Sequence, residues 1–300
     1  MKSALSIREM GEKACWTLVQ QALGIPDAKM PSDHMSQRVA LLLFARASLP
    51  ERLCVTAAVR QMGGSTIYQG VQSGSSDGWR AEVRSFQSHL FPVLGYFLDC
   101  LYVYGFPSVA QTRTGIDDPS FPIINAGCDD GHPAHALADM ACMLRVCKGD
   151  ISGVKAAWIG SANGTLHSLI EAKPWFPFSL SVSLPPEDAD AAAIRELDRE
   201  LNAGVQFEET PVKAVTGSRF VFAGRRPDLE TPENEAWSLT DGLLAKADKD
   251  ARILLSATPL RAIPVASSLL AGKRSLLVRQ AEYRLCVHKR ILHWVFDRQD

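Results

Sequence analysis

VALLLFARASLPERLCVTAAVRQMGGSTIYQG, residues 39–70, carries the pattern that decides the fold. Val39 to Phe44 is a short, bounded, uncharged apolar run, the signature of a strand buried on both faces. Ser48 is placed to cap a helix, with Pro50 and Glu51 in the first turn and Leu53 to Met62 as its body. Gly63-Gly64 stops that helix, and Ser65-Thr66-Ile67-Tyr68 opens the next strand. The unit is strand, loop, helix, strand, with the helix start aimed at the carboxyl end of the first strand. In an open α/β sheet that place binds ligands, often anionic ones, although an ordinary βαβ unit has the same pattern.

The alternation continues on both sides. Residues 7 to 23 have helical periodicity, and a loop with Pro26 and Pro31 leads into the strand at 39. Gln69 to Gly78 is rich in Gly and Ser and reads as a mobile loop. A helix is expected at 79–91, strands at 96–104 and 121–125, a turn at 128–131 and a helix from His132 to Cys147. Lys148-Gly149-Asp150 marks a domain change. Strands are then expected at 154–159, 178–184, 204–207, 219–223 and 252–256, with helices at 163–172, 187–202 and near 236–247. Such alternation predicts a second parallel sheet covered by helices on both faces. A last helix, about 279–298, carries the stripe Ala281, Leu285, Leu292 and Val295.

The 300 residues suggest roughly two domains. The expected division is 1–147, with 276–300 packing back on it, and 148–275. The net charge of −1 and scattered Lys and Arg give no nucleic-acid surface. No apolar run is long enough to cross a membrane, and the first residues lack a signal-peptide core. The seven cysteines include no CxxC pair and fit buried thiols in a reducing compartment. A cytoplasmic protein is expected.

Several stretches together resemble one family, the aspartate and ornithine carbamoyltransferases. Phe44-Ala45-Arg46-Ala47-Ser48 sits where they carry the FExxS-T-R-T-R phosphate loop. His132 to Asp139, HPAHALAD, is similar to their HPxQxLxD, and Val154 to Leu169, VKAAWIGSANGTLHSL, to VAxVGDxNNVxHSL. Thr258-Pro259-Leu260 falls at their HPLP or HCLP, and Gln280 to Leu285, QAEYRL, at QAENRL. The resemblance implies two doubly wound parallel-sheet α/β domains, the first binding carbamoyl phosphate and the second an amino acid. It also implies a homotrimer with shared sites, in which the 70–78 loop reaches a neighbour.

Ligand-contacting positions depart from the family. After Ser48 come Leu49, which lacks a hydroxyl, Pro50, which replaces an arginine and lacks an N–H, and Glu51, a carboxylate where phosphate oxygens would lie. Arg52 matches the last arginine of the motif. Tyr104 stands for another arginine, His135 for the glutamine of HPxQ and Thr258 for the histidine of HPLP. His132, which the resemblance assigns to polarising a carbonyl, is retained. The donor side is thus expected to comprise Ser48, Arg52, His135 and Thr258, with His132 catalytic. Asn163 and Arg225 match amino-acid-binding positions, and an arginine fork suits a carboxylate; a solvated loop residue is the alternative for Arg225. The ornithine-type aspartate and the HCLP cysteine are missing, which favours an acidic or neutral amino acid over ornithine.

Gly160-Ser161-Ala162-Asn163-Gly164 lacks the third glycine of a dinucleotide turn. His132 and His135, with Asp129 and Asp130 nearby, have metal-ligand chemistry, but helix-cap acids and a satisfied histidine account for them. No metal and no cofactor are expected, and no nucleic-acid or membrane partner. The leading expectation is a diverged transferase acting on an amino-acid or other carboxylate substrate at the domain cleft, with a donor other than carbamoyl phosphate. The alternatives are a non-catalytic homologue that binds a small ligand or partner subunit, and an active carbamoyltransferase with a rebuilt phosphate site. An open polar cleft would favour the first, and a cleft filled by Leu49, Tyr104 and their neighbours the second.

Overall fold

The computed structural model describes residues 2–24, 28–70, 91–110, 120–224, 237–256 and 265–297. The expected helix at 79–91, the 70–78 loop beyond Gly70, Arg225 and Thr258 lie outside the described residues. By packing, the chain divides into two compact units: 1–137 with 284–300, and 138–283.

In the first unit α1 (Ile7–Met10) and α2 (Glu12–Leu23) precede the sheet. Gly11 parts them at φ 81, so the single helical run expected over 7–23 is broken there. Strands β1 (Val39–Phe44), β2 (Ser65–Gly70), β3 (Cys100–Tyr104) and β4 (Ile123–Asn125) alternate with α3 (Leu49–Gln61) and the short α4 (Phe91–Leu94), and α5 (Pro133–Val146) comes after them. The sheet order is β2-β1-β3-β4, all parallel. β1 is central: Leu42 pairs with Tyr68 on one side and Tyr102 on the other. That is why its sequence is apolar without alternation. β2 is an edge strand whose residues alternate in exposure. Leu5, Leu41, Leu101, Val103, Phe121 and Ile123 form a core, each side chain contributing about 1.5–3 kcal/mol by leaving water. The strand expected at 96–104 is shortened, because Tyr96 and Phe97 turn outward after α4.

The second unit begins within α5 and carries β5 (Lys155–Ile159), α6 (Gly164–Ala172), β6 (Ser179–Ser183), α7 (Ala191–Leu201), β7 (Gln206–Phe207), α8 (Pro211–Val215), β8 (Phe220–Ala223), α9 (Asp241–Leu244), β9 (Arg252–Leu255) and α10 (Ser267–Ala271). Its order is β7-β6-β5-β8-β9, again all parallel. The helix expected near 236–247 is only α9, which starts at the Thr240 cap and ends by Ala245.

The last helix, α11 (Leu277–Phe296), crosses from the second unit into the first. Half of its expected stripe is buried: Leu292 and Val295 lie inside with Cys286, Val287, His288, Lys289 and Ile291, while Ala281 is exposed and Leu285 half-buried. A helix buried on more than one side has no single apolar stripe to read. Among the described residues no helix is long and apolar enough to cross a membrane.

Candidate functional site

Each sheet has one switch point, where the chain leaves neighbouring strands in opposite directions. In the first unit it lies beyond the carboxyl ends of β1 and β3, in the second beyond β5 and β8. Ligands of open α/β sheets bind at such places.

At the first, Ser48 caps α3 from an extended conformation, its Oγ accepting from the N–H of Glu51 at 3.4 Å. Glu51 then turns inward rather than to solvent. Its side chain is 3 % exposed, and Oε1 accepts from Nη1 of Arg284 at 3.1 Å and lies 3.6 Å from Nε2 of His132. Burial alone would raise the carboxyl pKa, but His132, Arg284 and His288 together hold it down at about 2. The α3 dipole works in the same direction. Arg284 also donates Nη2–H to Nε2 of His135 at 2.7 Å, so the ring proton of a neutral His135 sits on Nδ1. The His132 and His135 rings meet edge to face with centroids 5.0 Å apart.

The approach of His132 is built by its neighbours. Asn125, fully buried at the end of β4, donates to the carbonyls of Leu5 and Gly131 and accepts from the N–H groups of Gly127 and Cys128. It thereby shapes the loop that delivers His132. Gly127 stands at φ 131, and a Cβ there would lie 2.8 Å from Cδ2 of His132 and 3.0 Å from Tyr104. Only glycine lets that ring lie against the backbone.

Beneath this layer lie buried polar atoms with no hydrogen-bond partner among the described residues: Oε2 of Glu51, Nε of Arg284, both ring nitrogens of His288 and the hydroxyl of Tyr102. Burial drives His288 down to about 4, so its ring is neutral at pH 7.

The arginines around the pocket are engaged. Arg46 pairs with Asp129, Arg52 lies over the Tyr68 ring at 3.9 Å and Arg284 holds Glu51. Tyr104 packs on Phe44 with ring centroids 4.9 Å apart. Leu49 is turned to solvent, 67 % exposed. Asp130 is occupied by Ser108 and the N–H of Val109, so the acids beside His132 in sequence are turned away from it.

At the second switch point Asn163 caps α6, its Oδ1 accepting from the N–H groups of Thr165 and Leu166. Its Nδ2 donates to Oγ of Ser256 at 3.3 Å, and that hydroxyl donates to the Ala223 carbonyl. Thr165 closes the tie through the Ser256 carbonyl. Gly224 is required by space: a Cβ would lie 2.9 Å from the Ser161 carbonyl oxygen. Gln280 and Asp139, both from the family-like motifs, bond to each other at 2.7 Å, and Gln280 also bonds both ways to the Leu255 backbone. Those motif residues hold the second unit together rather than face a ligand.

The structure thus joins Ser48, His132 and His135 in one cluster and places Arg52 at its exposed margin, on Tyr68. Asn163 lies in the other unit. Sequence reasoning names Glu51 only as an obstacle and does not single out Arg284. Arg284 lies 233 residues from Glu51 along the chain, and the available signal is a retained arginine in QAEYRL opposite a new acid in the phosphate loop.

Fold and sites define a protein of two parallel α/β units, each with a capped helix start and a polar cluster at its switch point. The chain belongs to the aspartate/ornithine carbamoyltransferase family: residues 2–145 match the model of its carbamoyl-P binding domain and 152–295 that of its Asp/Orn binding domain. It is 29% identical over 301 residues to an ornithine carbamoyltransferase of Nitratidesulfovibrio vulgaris, covering 97% of each chain. It is 28% identical over 307 residues to one of Oleidesulfovibrio alaskensis, covering 99% of each. In fold it matches the ornithine carbamoyltransferase of Thermus thermophilus with a TM-score of 0.83 at 23% identity, covering 99% of both chains. That of Burkholderia thailandensis matches at 0.82 and 22%, covering 98% of both.

Proposed function

We propose that this chain is a diverged transferase of its family, which moves a carbonyl-bearing group onto an amino acid or other carboxylate substrate and does not use carbamoyl phosphate. The observation that carries this reading is the buried Glu51–Arg284 pair. A phosphate dianion needs cations and N–H donors in a dry pocket. Here the arginine that faces the cluster is neutralised by an acid of the same chain, Pro50 removes a backbone donor, Arg46 is paired with Asp129, and Arg52 lies over Tyr68 at the exposed margin. A dianion would meet Glu51 at close range. A neutral or singly charged donor would not, and its carbonyl could approach His132, whose side chain keeps an 11 % exposed edge. In this reading His132 polarises the carbonyl, while Ser48, Arg52, His135 and Thr258 line the donor side. Asn163, with one Nδ2 hydrogen left beyond the Ser256 bond, and Arg225 take the acceptor carboxylate. The protein is proposed to work as a cytoplasmic homotrimer.

Calorimetry with carbamoyl phosphate or a phosphonate mimic is expected to give no saturation at micromolar ligand, while a thermal-shift panel of amino acids gives at least one stabilising ligand. Saturable binding of carbamoyl phosphate, or carbamoylated amino acid formed by the purified protein, overturns the reading.

That result would support a second reading, an active carbamoyltransferase with a rebuilt phosphate site. It is favoured by the retained His132 and by likeness to ornithine carbamoyltransferases along the whole chain. It requires Glu51 to release Arg284 when the donor arrives.

A further inference from the structure

We propose that Glu51, His132 and His135 form a binding site for a divalent transition-metal ion of the zinc type. The two histidines are three residues apart at the start of α5, so both rings fall on one side. The third ligand comes from α3, not from the acids next to the histidines in sequence. One donor atom from each residue can be chosen so that all three lie within 4.8 Å of one another. Ligands bound to zinc at ~2.0–2.2 Å lie at most ~4.4 Å apart, so side-chain adjustment of a few tenths of an ångström closes the shell. The 3.6 Å between Nε2 of His132 and Oε1 of Glu51 is already within it.

Two independent observations point to a cation here. Glu51 is buried, and its Oε1 is bonded to Arg284, yet Oε2 has no hydrogen-bond partner among the described residues. A desolvated carboxylate with an empty oxygen is costly and favours a further positive partner. In addition, a cation already bridges two of the three ligands: Arg284 spans Oε1 of Glu51 and Nε2 of His135. The guanidinium stands where a metal would stand, and it must swing aside when one binds. Two histidines and one carboxylate leave an open coordination position, the arrangement of catalytic rather than structural zinc. Glu51 and His135 are both departures from the family motifs, so the changes that disfavour a phosphate also create this ligand set. The inference goes beyond the proposed transfer reaction, because metal binding needs no substrate, and either can fail alone.

The test uses the full chain without a histidine tag, stripped with a chelator. Co²⁺ is followed by its visible absorption and Zn²⁺ by calorimetry. His34, His293 and Asp297 form a second cluster of metal-binding side chains at the surface, so every protein carries His34→Ala. One equivalent of Co²⁺ is expected to bind with the spectrum of a low-coordinate site. His135→Gln and Glu51→Gln are each expected to weaken it on the order of a hundredfold or more, at least the loss seen when a mere supporting residue of a metal site is removed. Arg284→Met, which removes the competing cation, is expected to bind more tightly and to be raised in melting temperature by Zn²⁺. No binding in the His34→Ala background, or unchanged affinity in the folded His135→Gln protein, overturns the proposal. If Glu51→Gln does not fold, the His135 variant decides.

Discussion

At the carboxyl end of β1 the next helix brings in a carboxylate; at the carboxyl end of β5 the next helix brings in an amide. Ser48 and Asn163 cap these helices in the same way, from extended backbone. Beyond the cap the two sites differ. In the first unit Glu51 is buried and compensated by Arg284, His132 and a helix dipole. In the second the corresponding space is tied by Asn163, Thr165 and Ser256, whose neutral bonds have nothing to compensate. One backbone plan therefore yields a buried cluster built on charges and one built on neutral hydrogen bonds. The first is where chemistry can be driven by a change of partner, since removing any single charge exposes the others.

The largest effect should come from breaking the pair. Arg284→Met leaves Glu51 buried without its cation, and loss of about 3–5 kcal/mol is expected at pH 7 in urea unfolding. Glu51→Gln in the same chain should recover part of it. A cost in Arg284→Met no greater than that of a helix cap would erase the contrast between the two sites.

Acid should separate the sites next. The carboxyl of Glu51 falls from 4.5 to about 2 on folding, so its stabilisation is full above 4.5 and is lost as pH falls toward 2. His288 falls from 6.5 to about 4, under burial and the charges of His132 and Arg284, with Glu51 opposing. A depressed histidine is neutral in the fold and protonated in the unfolded chain, so its contribution is full above 6.5 and is lost between 6.5 and 4. At ~1.4 kcal/mol per pKa unit each step is about 3 kcal/mol. Stability should therefore decline from near pH 6.5, and His288→Leu should move the onset down toward 4.5. A pH profile identical in the two proteins would remove His288 from the buried cluster.

The smallest effect belongs to the second site. Asn163→Ala removes a cap that accepts from two N–H groups, at a cost of about 1 kcal/mol. The change should leave the acid profile untouched, and a shift of that profile would couple the two pockets.

Much of this was determined by the sequence alone. Both parallel sheets, the central VALLLF strand, the Ser48 cap and the family motifs are local patterns, set by period and by short spacing, and they can be read without knowing what packs where. Ser48, His132 and His135 were legible as neighbours through the same motifs. Other features were decided only by tertiary structure. The buried face of α11 results from packing on more than one side and leaves no stripe. Glu51 in a sequence is an acid at a helix start, equally content in water. Only the fold, by bringing Arg284 and His132 against it and excluding solvent, turns it into a buried counter-charge. Asn163 likewise becomes a structural tie once Ser256, 93 residues away, arrives beside it. Ionisation and hydrogen bonding depend on distance and dielectric in three dimensions, and neither is written in local residue spacing.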